Sequence, residues 1–219
     1  MKAVLFDLDG TLLDRKASLI DFVRWQAEGM LKSELIDVDS FVQRFLKLDD
    51  SGMVWKDKVY QQLISEFTIK KWSVDDLLTS YQLCFCAFSK PLAGAVEAVK
   101  SLKKSGYKLA LVSNGKTPLQ ERNFNALGIA DLFDTIIISE AVGFKKPDKA
   151  IFELTCKHLG IATSSAVFVG DSIKADIDGA NNAGMFSVFI PSDHNQVCPQ
   201  ADAICADYSE LPSIIFNAK

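Results

Sequence analysis

What this chain of 219 residues lacks narrows it first. It has no apolar run near the ~20 residues that a membrane-crossing helix needs. Its longest runs, such as residues 84–88 and 135–138, are far shorter. It has no basic cluster, and its net charge of −4 argues against a nucleic-acid partner. It has no even framework of cysteines. The five present (Cys84, Cys86, Cys156, Cys198 and Cys205) read as reduced thiols in a cytoplasmic setting. Only two histidines, His158 and His194, accompany them, and no second cysteine pair follows Cys84-x-Cys86. That pair therefore reads as core packing on a helix, not as half of a zinc clip. One lysine and a short apolar run ending in Asp7 do not make a signal peptide. There are no internal repeats or low-complexity segments.

What remains is ordinary for a globular protein: 48% hydrophobic and 24% charged residues. The length allows one sizeable domain with an insertion, or two small ones. The most informative segment is Asp7-Leu8-Asp9-Gly10-Thr11, directly after the apolar run Ala3-Val4-Leu5-Phe6. The run reads as a short buried strand. Two carboxylates one residue apart on extended chain project to the same side. Gly10 permits the turn that leaves both at the strand's C-terminal edge, where parallel α/β sheets bind ligands. Like charges so close need relief by a metal ion, a shared proton, or both.

Residues 16–88 read as helical throughout. Leu19, Phe22, Val23, Trp25 and Met30 recur at helical spacing. A second helix is expected after Asp39, a third from about Val54, and a fourth from Ser73, with Asp76 as its capping-box partner. Trp25 and Trp72 read as core, and Arg15 as a surface residue at a hinge. Trp55, Lys56 and Lys58, after the break at Ser51-Gly52, form a candidate specificity loop. From Pro91 the pattern becomes strand–helix alternation. Strands are expected at 108–112, 134–138, 166–169 and 186–190. Helices are expected at 93–105, 117–127, 148–159 and 174–183, with Thr117 and Gln120 forming a capping box at the second. Residues 139–147 read as a loop, and the tail from Ala203 as an edge strand and a last helix. Such alternation predicts an α/β fold: a doubly wound, parallel-sheet (Rossmann-like) core with an inserted all-helical domain. The core would span 1–15 and 89–219, and the insertion 16–88.

Polar motifs follow four of the strands: Asp7 and Asp9; Ser113-Asn114-Gly115; Lys146-Pro147; and Gly170-Asp171-Ser172 with Asp176. Three carboxylates and a carbonyl suit a hard cation such as Mg²⁺. A hydroxyl, backbone amides and a lysine suit phosphoryl oxygens. In this order the motifs resemble those of the haloacid dehalogenase superfamily, in particular its phosphatase-like hydrolases with a helical cap. The resemblance implies Asp7 as the nucleophile and Asp9 as the general acid and base. It implies phosphate binding by Ser113, Asn114, Lys146 and Thr11, with Thr11 also orienting Asp9 or its loop. It implies Mg²⁺ held by Asp7, Asp9, Asp171 and Asp176. Asp178 nearby reads as a solvated helix charge.

Within that superfamily, the resemblance implies that an acid at Asp9 favours phosphate esters over halides, and that Thr11 favours a hydrolase over a mutase. The expected activity is Mg²⁺-dependent hydrolysis of small phosphorylated metabolites through an aspartyl-phosphate. A phosphomutase, or a non-catalytic binding protein on the same fold, is the alternative. The resemblance implies that the cap would set substrate selectivity. The sequence names no metabolite and no oligomeric state.

Overall fold

The structure is a computed structural model that describes residues 1–192 and 195–218. His194 lies outside the described residues. The chain divides into two compact units, 1–14 with 91–219, and 15–90. The seams thus fall at 14/15 and 90/91, rather than at 15/16 and 88/89.

The first unit is built on a parallel sheet. Its strands are β1 (Ala3–Phe6), β2 (Lys108–Ser113), β3 (Thr135–Ile138), β4 (Ala166–Gly170), β5 (Phe186–Phe189) and β6 (Ala203–Ile204). They pair in the order β3-β2-β1-β4-β5-β6. The order reverses direction beside β1, and such a switch point opens a crevice at the strands' carboxyl ends. Register places the last residue of β1, Phe6, between Leu111 and Val169. The residues after β1, β2 and β4 therefore emerge at one sheet edge. All four residues of β1 are fully buried, as a sheet covered on both faces requires. Phe152 and Phe168 meet edge to face within one of these layers.

The helices of this unit are α5 (Ala95–Lys104), α6 (Thr117–Ala126), α7 (Ser139–Val142), α8 (Lys149–Leu159), α9 (Gly179–Asn182) and α10 (Leu211–Asn217). Three departures from expectation bear on the site. The loop expected at 139–147 begins with the short α7. Thr117 is not a cap: it is the first helical residue of α6, and the cap position holds Lys116 without a side-chain bond. The helix expected from Lys174 opens as a π-helical segment, Ile173–Asp178. There the Ile177 amide donates to the Ser172 carbonyl, five residues back, at 3.2 Å. Such widened turns often accompany functional sites.

The second unit is all helical: α1 (Arg15–Gly29), α2 (Val38–Asp49), α3 (Lys56–Glu66) and α4 (Val74–Cys84). Asp37 caps α2 by accepting from the Ser40 amide, so α2 starts earlier than expected. The Ser73–Asp76 capping box starts α4. Phe22 packs edge to face on Tyr81, Phe85 and Phe88. Buried Gln26 donates to the Leu77 carbonyl and Ser80 Oγ and accepts from Tyr60 Oη, tying three helices. Three expectations fail here. Trp25 is 41% exposed although it leans on Phe22 and Phe88, and Trp72 is only half-buried. Cys84 and Cys86 are half-buried at the end of α4 and beyond it, not core. Arg15 stands at the 14/15 seam but is not a free surface side chain. It grips Asp49 in a bidentate pair at 2.8 and 2.9 Å, and buried Lys56 contacts the same carboxylate. Lys56 is thus a core ion, not part of an exposed loop.

Candidate active site

Four strand ends converge on one lysine. Lys146 is 4% exposed, and its Nζ donates to Asp7 Oδ1 at 2.6 Å. Asp176 Oδ1 lies 2.7 Å from the same Nζ, an ion pair without hydrogen-bond alignment. Lys145, its neighbour, is exposed and outside the cluster. Lys146 is fixed from the backbone as well. Its N–H donates to Asn114 Oδ1 at 2.9 Å, and Asn114 Nδ2 donates back to its carbonyl at 3.0 Å. The Asn114 side chain therefore clamps the β2 loop to the lysine loop.

Asp7, Asp171 and Asp176 each offer a carboxylate oxygen, and these oxygens lie within 4.8 Å of one another. Two glycines make this approach possible. Gly10 has φ +80°, and a Cβ there would strike the Asp171 carboxylate, 2.8 Å from its Cγ. At Gly170 a Cβ would lie 2.5 Å from the Cβ and Cγ of Asp176. The π-helical turn carries Asp176 back under the strand end, where its Oδ2 accepts from the Ser172 amide at 3.0 Å.

The electrostatics follow from burial. Desolvation pushes the Asp7 carboxyl well above the usual carboxylate range; Lys146 opposes this, and Asp176 and Asp171 add to it. Burial, then Asp176, pushes Asp171 up to about 7. Burial alone would lower Lys146, but Asp176 and Asp7 hold it above its ordinary value, so it stays charged. Three acids and one ammonium leave a deficit of positive charge. A hard divalent cation with oxygen preference fits this donor set.

Asp9 sits apart from that cluster. Its Oδ2 accepts from Gln120 Nε2 at 2.6 Å. The same nitrogen lies 2.9 Å from Ser113 Oγ and 3.3 Å from the Asn114 carbonyl. Ser113 is 1% exposed. Thr11 is fully buried, and its hydroxyl has no partner among the described residues. Its backbone instead serves the turn. The amide donates to the Leu8 carbonyl at 3.2 Å, and the carbonyl accepts from Tyr208 Oη. Asp178 is half-buried on the π-helical segment.

Gln120 was legible in the sequence only as a helix-start residue. Its place here follows from the failed cap: with Thr117 inside the helix, the first turn of α6 aims Gln120 back at the β2 loop. Tyr208 carried no sequence signal at all, because the bond it makes spans 197 residues.

Residues 1–184 match the family model of the haloacid dehalogenase-like hydrolases. The chain is similar to a pyrimidine 5′-nucleotidase of Streptococcus pneumoniae, 30% identical over 223 residues, covering 95% of this chain and 91% of the relative. It is similar to a glyceraldehyde 3-phosphate phosphatase of Methanothermobacter thermautotrophicus, 28% identical over 208 residues, covering 88% and 87%. Among solved structures it resembles an HAD phosphatase from Thermococcus onnurineus, with a TM-score of 0.70, 28% identity and 98% of each chain covered.

Proposed function

The chain belongs to the haloacid dehalogenase-like hydrolases, and from that premise we propose that it hydrolyses small phosphorylated metabolites with Mg²⁺, through an aspartyl-phosphate on Asp7. The observation that carries this reading is the buried Lys146 between Asp7 and Asp176, beside a third carboxylate on Asp171. A buried carboxylate normally gives up its charge. The ammonium opposes the rise that burial imposes on the Asp7 carboxyl, and it offsets the charge of an incoming phosphoryl group.

Asp7 attacks phosphorus, and the bond to the ester oxygen breaks. Asp9 gives its proton to the departing alkoxide. Water then attacks the aspartyl-phosphate while Asp9 takes a proton from that water, and the bond from Asp7 to phosphorus breaks, which releases inorganic phosphate and regenerates Asp7. Ser113 Oγ accepts from Gln120, and its own proton makes only a long 3.5 Å bond to the Asn114 carbonyl, which a phosphoryl oxygen can displace. Asp7, the Asp9 carbonyl and Asp171 would hold Mg²⁺, with Asp176 completing the acidic set. The metal supplies charge neutralisation and in-line alignment when bound.

The test is phosphate release from a panel of phosphorylated metabolites, with Mg²⁺ and with chelator. Triose phosphates and nucleoside monophosphates belong in it, given the relatives' activities. Release should require Mg²⁺ and vanish in Asp7→Asn. Turnover that survives either the chelator or the substitution overturns the mechanism.

A further inference from the structure

Asp9 must present a proton to one oxygen and later take one from water, so its carboxyl group needs a fixed rotation. Gln120 is placed to fix it. The side chain is 5% exposed, and its Nε2 is 2.6 Å from Asp9 Oδ2. The other end of the amide accepts from Asn123 Nδ2 at 3.3 Å. That contact decides which end of the amide faces Asp9, since an amide with its oxygen turned toward a carboxylate would repel it. The stem is held too: a Cβ at Gly115, where φ is +152°, would lie 2.8 Å from Gln120 Cγ. The backbone of the β2 loop thus packs directly on this side chain. Glycine is needed there for two reasons, conformation and space.

We infer that Gln120 is a positioning residue that holds the Asp9 carboxyl group in line with the leaving-group oxygen, an inference that rests on the phosphatase reading. Through Ser113 Oγ at 2.9 Å the same nitrogen ties the proton-transfer group to the phosphate-binding loop, across 111 residues of sequence between Asp9 and Gln120. Asp9 and the phosphoryl oxygens are thereby kept in one frame. The two amide hydrogens match the two shorter contacts, and the Asn114 carbonyl at 3.3 Å is secondary.

The consequence separates positioning from scaffolding. An ester whose leaving group departs readily without a proton does not depend on Asp9 in the first step. One with a more basic leaving group does. Phenyl phosphate and p-nitrophenyl phosphate have nearly the same shape and differ in this respect. Steady-state kcat/KM, which reports the step that expels the leaving group, is measured for both with the wild type, Gln120→Met and Gln120→Glu, in saturating Mg²⁺. Both substitutions keep the length of the side chain and remove the donor. Loss of one hydrogen bond to a charged group corresponds to about a tenfold to hundredfold effect. The expected result is a loss of that size for phenyl phosphate and a clearly smaller loss for p-nitrophenyl phosphate. Equal losses on both esters assign Gln120 to scaffolding of the Ser113 loop and overturn the inference, as does no loss on either. If one variant fails to fold, the other carries the comparison. Absence of hydrolysis by the wild type overturns the phosphatase reading itself, and the inference with it.

Discussion

Raising the pH from 5.5 to 8 without metal should destabilise the α/β unit. Asp171 is pushed from 3.8 up to about 7 by burial and by Asp176. Between those two pH values the folded state holds a proton that the unfolded chain has released, so stability falls as pH rises through this window. Only the part of that shift between pH 5.5 and about 7 lies in the window, and at 1.36 kcal/mol per unit it amounts to roughly 2 kcal/mol. Asp7 is shifted in the same direction, so it works in the same sense. For a chain of this size such a change lowers the melting temperature by about 6 °C. The carboxylates shifted the other way do not confuse the window. Asp49 is buried and Asp134 exposed, and Arg15 and Lys103 respectively hold them below their ordinary value. Their stabilisation is fully present above about pH 4 and is lost only on further acidification. A divalent cation among Asp7, Asp171 and Asp176 displaces the proton, so it should stabilise more at pH 8 than at pH 5.5. Thermal unfolding in chelator and in saturating Mg²⁺, at both values, checks this. A melting temperature in chelator that is flat or rises from pH 5.5 to 8 refutes the reasoning. So does a Mg²⁺ effect of equal size at the two.

Two further substitutions probe the buried ions. Lys146→Met leaves Asp7 and Asp176 facing each other without a cation, which should cost about 3–5 kcal/mol in urea unfolding. Proton uptake by the two acids should make that loss smaller at pH 5 than at pH 8, and phosphate release should be abolished at both. In the helical unit, Asp49→Asn removes the carboxylate that both Arg15 and buried Lys56 contact. A loss of about 3 kcal/mol or more in that unit's unfolding is expected, and a loss under 1 kcal/mol would show that the pair is not energetically coupled to the fold.

Strand–helix alternation was readable because period-2 and period-3.6 patterns are local properties of the chain, and Gly106, Gly128, Gly160 and Gly184 punctuate it. All five core strands expected from the sequence are present, and β6 follows as the edge strand. The identities of the polar motifs were readable for a related reason: three of them sit at the end of a strand, and only Lys146-Pro147 comes a short helix later. What local pattern could not supply was orientation. Thr117 has the chemistry of a cap, yet the chain enters α6 one residue earlier, and Gln120 turns from cap partner into a ligand of Asp9. Trp25 has helical spacing and an apolar ring, yet it lies at the rim of its aromatic cluster. Arg15, Asp49 and Lys56 gave no sign of one buried ion group, since their meeting depends on how α1, α2 and α3 pack.

The sequence by itself determined the fold class, the family and the residue types at the site, because these rest on spacing within segments of a dozen residues. Tertiary structure alone decided which atoms meet. Lys146 pairs with Asp7 across 139 positions, and Tyr208 reaches Thr11 across 197. Contacts at that separation are set by sheet order and by the burial of charge, and no local periodicity encodes either.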